Sequence, residues 1–187
     1  MKDFNKELFF RNMNEEERIE HFKKEVPPEL SYFTKNFTKL GFFQMPAGLR
    51  FHGAFEGGLY AHCFAVTSAL VELTEKLGLK WEREESPYVV GMCHDLCKCD
   101  NYFWNAFEER YEYSQSIIDP DHGSKSVIIA QQFMHLTEEE IACIRWHMGA
   151  YEKDTRLWEY FGRAIEKFPN VLYTHTADMI ASKIIGV

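Results

Sequence analysis

A regular stripe of apolar side chains between residues 59 and 77 constrains the fold of this chain more than any other feature. Its members alternate in steps of four and three residues: Leu59, Cys63, Val66, Leu70, Leu73 and Leu77. This spacing places them on one face of an α-helix. Gly78 follows directly and predicts the end of that helix. Because a one-sided helix must bury its apolar face against other elements, the stripe predicts a helical core.

The rest of the chain carries further helical patterns separated by prolines, glycines and turn residues. Thr137 and Glu140 form a Thr-x-x-Glu pattern that is typical of a helix N-terminus. Residues 101–118 are rich in Tyr, Phe and Trp and predict a short hairpin or an irregular aromatic insert. The other predicted helices cover 4–25, 28–39, 86–97, 122–133, 137–148, 155–167 and 170–185. We therefore expect an all-α fold of about seven or eight helices with at most a small β-hairpin insert.

Length and composition favour one folded domain over residues 1–187, because the chain has no internal repeat and no Gly/Ser linker. The formal net charge of −8 argues against duplex DNA as a partner. No apolar run approaches the roughly 18 to 20 residues of a membrane helix, and the N-terminal residues lack the apolar core of a signal peptide. We therefore expect a cytoplasmic protein without a membrane partner.

The five cysteines are an odd number and give no framework of paired disulfides. We expect reduced, buried thiols. Cys97 and Cys99 could suggest a thiolate metal site, but the chain has no second cysteine pair at the spacing of a zinc finger. The sequence therefore favours thiols without a metal role.

Histidine and aspartate residues interrupt the apolar faces of these predicted helices. His62 follows Leu59 by three residues and therefore lies on the buried stripe. His94 and Asp95 end the apolar run at residues 88–93. A single buried histidine is usually satisfied by a main-chain carbonyl group. A buried carboxylate, in contrast, requires a positive partner to offset its loss of hydration.

Two further polar residues, His147 and Asp178, fall on the inner faces of two other predicted helices. If these side chains were buried separately, each would carry its own desolvation penalty, whereas one bound cation accounts for all of them together. Imidazole and carboxylate ligands suit Fe, Mn, Zn, Ni or Co ions, and such sites often leave positions open for water and substrate. The sequence therefore predicts a transition-metal site.

The order of these residues resembles a known pattern. His62, then His94-Asp95, then Asp178 is similar to the H…HD…D signature of the HD-domain metal-dependent phosphohydrolases, an all-α superfamily. Segments similar to family segments lie at 51–62, 94–98, 121–126, 145–147 and 175–178. They span an HD core at roughly residues 48–187, with residues 1–45 as an N-terminal helical cover. In one departure, Leu96 and Cys97 stand where many members have a small apolar residue and glycine.

The resemblance implies a metal site of four or six ligands. The four signature residues would bind one ion, and two further histidines match those of the branch that binds two ions, in which the carboxylate of Asp95 would bridge both. The implied ligands are His62, His94, Asp95, His122, His147 and Asp178. One alternative stays open for His122, which could instead be an ordinary residue at a helix start. The expected cofactor is one or two divalent transition-metal ions.

Other residues are assigned roles around the metal. Asp95 and Lys98 are the expected catalytic residues, and Lys98 would act as a phosphate contact or an acid, unless it is only a solvated charge at a helix end. His52 and Arg145, together with Lys98, are candidate substrate-binding residues, since guanidinium and imidazole groups can bind phosphate or move a proton. His175 is expected to orient a metal ligand. Two histidines are expected at the surface: His21 and His135.

The activity that the resemblance implies is hydrolysis of a phosphate ester by metal-activated water. The expected substrate is a nucleotide or a related small phosphate, with monoesters favoured over diesters. Segments around His62 also resemble HD domains of 3′-to-5′ exoribonucleases, but the acidic net charge disfavours RNA. Two alternatives stay open: a di-iron oxygenase of the same superfamily, and a non-catalytic domain in which the metal has a structural or ligand-sensing role.

Overall fold

The computed structural model describes residues 4–50, 52–115, 121–149 and 155–187 of the chain. Residue 51, which opens the matched segment at 51–62, lies outside the described residues. The same is true of residues 116–118, with which the predicted aromatic insert ends.

The described part of the chain is mostly helical and contains one small sheet, which confirms the expected helical fold with a hairpin. The α-helices are α1 (Phe4–Arg11), α2 (Glu15–Glu25), α3 (Pro28–Ser31), α4 (Thr34–Lys39), α5 (Gly58–Leu77), α6 (Ser86–Cys93), α7 (Lys98–Asn101), α8 (His122–Ala130), α9 (Glu138–Arg145), α10 (Trp158–Lys167) and α11 (Asn170–Met179). A 3-10 turn (Thr155–Leu157) precedes α10, and a π-helix (Ile180–Ile185) continues α11. The helices exceed the expected seven or eight because several predicted ones are divided.

The division is clearest near the N-terminus, where one helix was predicted over residues 4–25. The Asn14 side chain accepts a hydrogen bond from the Glu17 backbone N–H at 3.0 Å, and the Glu17 carboxylate accepts one from the Asn14 backbone N–H at 2.8 Å. This reciprocal capping box begins a new helix at Glu15. The predicted helix at 28–39 is likewise divided into α3 and α4.

Helix α5 is central to the fold and packs against α6, α11 and the π-helix. The predicted stripe is fully buried from Leu59 to Leu70, whereas Leu77 is exposed because the last turns extend beyond the core. Gly57 and Gly78 flank the helix with positive φ angles of 80° and 64°, which glycine adopts without steric strain. The end predicted at Gly78 is confirmed.

Helix α9 is fixed to the preceding segment by a buried carboxylate. Its predicted capping box is present, since Thr137 accepts a hydrogen bond from the Glu140 N–H and Glu140 accepts one from the Thr137 N–H. The fully buried Glu140 carboxylate also accepts hydrogen bonds from Arg83 at 2.7 and 2.9 Å and from Ser86 at 2.9 Å. These contacts attach the N-terminus of α9 to the segment that leads into α6.

A two-stranded antiparallel hairpin follows α7 and corresponds to the predicted aromatic insert. It consists of β1 (Tyr102–Asn105) and β2 (Arg110–Tyr113), with Trp104 opposite Tyr111. The Tyr111 hydroxyl donates a hydrogen bond to the Gln44 carbonyl oxygen at 3.2 Å, so the hairpin contacts the loop that precedes α5.

Three further expectations can be compared with the described residues. The five cysteines are free, and four of them are fully buried. Among the helices that the structure describes, none is long and apolar enough to cross a lipid bilayer. His135 is exposed as expected, but the expectation for His21 is wrong. This ring is half-buried among Phe9, Phe10 and Phe64, and its Nδ1 lies 2.6 Å from the Tyr60 hydroxyl.

Candidate metal centre

Four helical segments bring five of the six predicted ligands to one place inside the molecule. His62 lies in the second turn of α5, and Asp178 lies near the end of α11. His94 caps the C-terminus of α6, and Asp95 belongs to the turn that follows. His147 comes from the turn after α9. The three histidine side chains are almost fully buried, Asp95 is buried, and Asp178 is half-buried.

The ligand atoms of these residues form two overlapping groups that could hold a metal ion. His62, His94 and Asp178 form the first group, and His94, Asp95 and His147 form the second. Within each group all ligand atoms lie within 4.8 Å of one another. Since both groups share His94, the donors form one continuous set.

The backbone fixes the orientation of all three imidazole rings. The Nδ1 atoms of His62, His94 and His147 lie 3.0, 2.9 and 2.8 Å from the main-chain oxygens of Val187, Gly91 and Ile144, respectively. A carbonyl oxygen only accepts hydrogen bonds, so each Nδ1 carries a hydrogen and donates it. The Nε2 lone pairs therefore point into the site, which is how neutral histidines bind metal ions.

The distance between two of these nitrogens tests whether a metal ion fits. His62 Nε2 and His94 Nε2 are 3.2 Å apart. With both Nδ1 atoms protonated, two neutral rings would direct lone pairs at each other, and this repulsion is relieved by a proton or a cation between them. Two nitrogens bound to one zinc-like ion at about 2.0 to 2.1 Å with tetrahedral angles lie about 3.3 Å apart. The observed spacing fits such an ion.

Asp95 lies between the two groups and presents one carboxylate oxygen to each side. Its Oδ2 is 3.7 Å from Nε2 of both His62 and His94, and its Oδ1 is 3.7 Å from Nε2 of His147. Burial alone would raise the pKa of Asp95, but the Lys98 ammonium and the neighbouring imidazoles hold it well below its usual range. The carboxylate is therefore ionised and can bind a cation on either side.

Burial and the neighbouring charges also shift the pKa values of His94, His62 and Asp178. Burial lowers the pKa of His94 to about 4, which keeps this ring neutral. Burial would also lower the pKa of His62, but its hydrogen bond to Asp178 at 3.2 Å and the two carboxylate charges raise it. The pKa of Asp178 is lowered, against the effect of burial, mainly by His62. Because the pKa of His62 is raised, its Nε2 holds a proton more firmly than a free imidazole does, in the position that a cation would take.

Lys98 is directed at the site and is not a solvated charge at a helix end. Its ammonium group donates a hydrogen bond to the Ala47 carbonyl oxygen at 2.8 Å and lies 3.9 Å from Asp95 Oδ2. His52 is also adjacent, since its ring centroid lies 5.1 Å from that of His62. Burial and the nearby His62 lower the pKa of His52 to about 4. Two of the three candidate substrate-binding residues, Lys98 and His52, therefore border the donor set.

The remaining predicted residues are His122, Arg145 and His175, and none of them belongs to either group. His122 Nδ1 is 3.4 Å from the Cys97 sulfur, and burial lowers the pKa of this half-buried histidine. The guanidinium of Arg145 pairs with Asp121 at 2.7 Å. His175 donates from Nδ1 to the His147 carbonyl oxygen at 2.9 Å, and this contact fits the expected orienting role.

The acceptors that orient the rings could not be predicted from the sequence, because main-chain oxygens carry no residue signature. The pairing of Arg145 with Asp121 was not predicted either. Asp121 directly precedes the predicted helix start, a position typical of an N-cap, and its carboxylate caps α8 by accepting the Ser124 N–H at 3.0 Å, but no sequence pattern links Asp121 to Arg145.

No protein-family model matches this chain, and searches of curated proteins and of solved structures also gave no match. The interpretation of the site therefore depends on the distances and hydrogen bonds given above. They describe a buried set of imidazole nitrogens and carboxylates that could hold a metal ion.

Proposed function

We propose that this protein is a metal-dependent phosphohydrolase with an HD-type site. One observation carries the proposal: three histidines present Nε2 to a common space shared with two carboxylates, and each Nδ1 is held by a main-chain oxygen. Rings fixed in this way are preorganised for a cation, which reduces the conformational entropy lost on binding. The H…HD…D order of the residues supports the same proposal.

Charge favours a phosphate substrate. The donor set contains two carboxylates, Asp95 and Asp178, which a divalent cation would neutralise. The Lys98 ammonium would then leave a net positive site, which attracts an anion. His52, which is neutral at pH 7 because its pKa is about 4, could donate a hydrogen bond to a phosphate oxygen through one ring nitrogen and accept a hydrogen bond through the other.

A divalent cation in this site would acidify a coordinated water and stabilise the negative charge that develops on the phosphoryl oxygens. The residues of this chain would perform the remaining tasks. Asp95 and Asp178 would supply the negative charge that retains the cation, and Lys98 would bind a phosphate oxygen. Because the three ligating rings are buried, few solvent molecules would screen these interactions.

The donor set also supports a proposal for the number of ions. The two oxygens of Asp95 face different histidines, so a first ion would bind near His62 and a second near His147. Since His122 belongs to neither group, we propose that the first position binds its ion more tightly. His147→Ala should therefore deplete a second ion while the first is retained.

Elemental analysis, combined with a phosphatase assay, tests the proposed function. Protein purified without chelator and without a nickel column should contain one or two transition ions per chain, and should release phosphate from nucleoside monophosphates. A chelator should abolish this release. Asp95→Asn should lose metal and activity together, whereas Asp100→Asn, which changes a carboxylate that pairs with Lys125, should retain both.

Two results would contradict the proposal. The first is an Asp95→Asn protein that retains its metal and its phosphate release. The second is an iron-loaded wild-type protein that consumes dioxygen and releases no phosphate from any ester. That second result would instead support the oxygenase alternative.

A further inference from the structure

Cys97 places a buried sulfur atom beside the metal centre. The residue lies in the turn between α6 and α7, and its side chain is fully buried. Its Sγ is 4.0 Å from Asp95 Oδ1 and 3.4 Å from His122 Nδ1. The thiol therefore connects a carboxylate of the donor set with a histidine that belongs to neither donor group.

Four possible ligand atoms follow one another from the metal centre toward α8. His147 Nε2 is 3.7 Å from Asp95 Oδ1, and the 4.0 Å and 3.4 Å contacts of Cys97 Sγ continue this series to His122 Nδ1. In a tetrahedral zinc site, with bonds of about 2.3 Å to sulfur and about 2.0 to 2.2 Å to nitrogen or oxygen, two ligand atoms lie about 3.3 to 3.6 Å apart. Each neighbouring pair is therefore within a few tenths of an ångström of the spacing that one bound ion requires.

Contacts outside the four donors hold the segments that carry them together. The Cys97 N–H donates a hydrogen bond to the Ser126 hydroxyl at 3.1 Å, which attaches the turn with the thiol to α8. A Cβ atom at Gly123 would lie 2.1 Å from the Arg145 carbonyl oxygen, so this glycine lets the first turn of α8 approach the end of α9. His147 follows two residues later. The thiol and both histidines are therefore positioned by backbone packing.

A hydrogen on the thiol satisfies only part of this cluster. A thiol carries one hydrogen, which can point at the Asp95 carboxylate or at the His122 ring but not at both. Burial lowers the pKa of His122, so at pH 7 this ring is neutral and offers one nitrogen lone pair. A cation among the same atoms would attract the sulfur, the carboxylate oxygen and the imidazole nitrogen together.

We propose that Cys97 is a ligand of the second metal position, together with Asp95, His147 and His122. When the ion binds, a bond forms between the ion and Sγ, and the thiol hydrogen leaves to the solvent as a proton, because a coordinated thiol is deprotonated. The inference rests on the proposed function only for the presence of an ion near His147. It gives a metal role to one cysteine, whereas the sequence favoured none.

A thiolate ligand also affects which ion the second position selects. Sulfur ligands favour softer ions such as Zn²⁺, whereas Mg²⁺ and Mn²⁺ prefer sites made of oxygen ligands. The first position, formed by His62, His94 and Asp178, contains only nitrogen and oxygen donors. The preference for Zn²⁺ over Mn²⁺ should therefore be stronger at the second position than at the first.

Titration of the metal-free protein with Co²⁺, without oxygen and followed by absorption spectroscopy, tests the inference. Charge transfer from a thiolate to Co²⁺ absorbs in the near ultraviolet, and sites with only nitrogen and oxygen ligands lack this band. The wild-type protein should bind two ions, and the band should appear with the second. Cys97→Ser should remove the band and retain the first ion. It should weaken binding of the second ion by at least about 10-fold, since even residues that only orient a ligand contribute this much.

Cys99→Ser is the matched control, since Cys99 is also a free thiol, lies two residues further along the chain and is not one of the four donors. This variant should retain the band and both ions. The inference would be overturned by a wild-type protein that binds two ions without the band, by one that binds fewer than two ions, or by a Cys97→Ser protein that keeps the band.

X-ray absorption at the zinc edge provides a measurement that needs no variant and therefore does not depend on how Cys97→Ser folds. In the wild-type protein loaded with two Zn²⁺ ions, one ion should have a sulfur neighbour at about 2.3 Å in addition to nitrogen and oxygen neighbours. A spectrum with nitrogen and oxygen neighbours alone would also overturn the inference.

The phosphatase assay separates this inference from the proposed function. If the band depends on Cys97 but no phosphate ester is hydrolysed, the thiolate ligand is correct and the proposed activity is wrong. If phosphate is released while two bound Co²⁺ ions give no band, the activity is correct and the thiolate ligand is wrong.

Discussion

Asp95 and Lys98 affect a bound cation in opposite directions, although both face the same space. The carboxylate attracts the cation, and the ammonium group 3.9 Å away repels it. The same ammonium attracts a phosphate. One substitution at Lys98 can therefore separate metal binding from substrate binding.

We predict that Lys98→Met retains the metal ion and lowers kcat/KM for a nucleoside monophosphate by about 10- to 100-fold, the effect of losing one charged hydrogen bond. The affinity for the divalent cation should stay the same or increase, because a repulsive charge is removed. Metal titration together with steady-state kinetics measures both quantities. Lys98→Arg keeps the positive charge and should therefore recover part of the activity. Loss of the metal from the Lys98→Met protein would contradict the prediction.

At this scale the sequence indicated which His and Asp side chains would come together, and it did not reveal their surroundings. His62 could be predicted because it interrupts a regular apolar stripe, and Asp95 because a buried carboxylate requires a positive partner. His122 matched a family segment, yet its ring contacts Cys97 and lies outside both donor groups. Its side-chain direction depends on how α8 packs, and this packing leaves no trace in the spacing of residues along the chain.

Among the helices, the close approach of α5 and α6 determines the positions of His62 and His94. A Cβ atom at Gly91 would lie 2.3 Å from the Thr67 hydroxyl oxygen and 2.7 Å from the Thr67 Cα atom, so no larger residue fits without moving a helix. The Gly91 carbonyl oxygen also accepts the hydrogen bond from His94 Nδ1. This glycine therefore controls both helix packing and ring orientation.

We predict that Gly91→Ala lowers the free energy of unfolding by about 1 to 3 kcal/mol, the usual effect of overpacking, and weakens metal binding. Urea denaturation and metal titration check the two effects. Gly162→Ala in α10 is the control, because a Cβ atom there meets no neighbour within 4 Å. Alanine at that position should stabilise the protein by about 0.4 to 1 kcal/mol. Equal stability of the two variants would refute the prediction for Gly91.

The elements could be predicted where strong local signals exist. The end of α5 at Gly78 and the start of α9 at Thr137 follow from glycine and from a capping box. The interruption between α1 and α2 was missed, although Asn14 and Glu17 form the same kind of capping box, because the charged residues around them continue a helical pattern. The orientation of the hairpin toward Gln44 depends on tertiary contacts, which periodicity does not encode.

For the whole molecule, the shifted histidines predict how stability depends on pH in the protein without metal. His52 and His94 have pKa values of about 4 in the folded chain, below the ordinary value of 6.5. Between these values the unfolded chain binds more protons, so the free energy of unfolding falls as the pH falls from 6.5 to 4. The pKa of His62, in contrast, is raised in the folded chain. The stability that protonated His62 contributes is therefore present below pH 6.5 and is lost as the pH rises through that higher pKa.

We therefore expect the stability contributed by these histidines to be greatest near pH 6.5 and to decline on both sides. Asp95 and Asp178 are ionised, and their pKa values are lowered in the folded chain. The stability that these carboxylates contribute is lost only below about pH 4, outside the pH range in which the histidines titrate. Urea denaturation at about pH 4.5, 6.5 and 8.5 measures the profile. Saturating metal should abolish the alkaline decline, since the cation replaces the proton on His62. A steady rise from the lowest to the highest pH without metal would disprove the expectation.

The metal centre collects its donors from distant parts of the sequence. His62 lies in α5, whereas Asp178 lies in α11, and the oxygen that orients His62 belongs to Val187, 125 residues further along the chain. During synthesis, His62 and His94 would emerge from the ribosome long before Asp178 is made. The rings of His94 and His147 are oriented by nearby carbonyl oxygens and could be oriented before that of His62, which requires Val187. The full donor set could therefore hold a cation only at a late stage of biogenesis, when α11 has been made and has docked on α5.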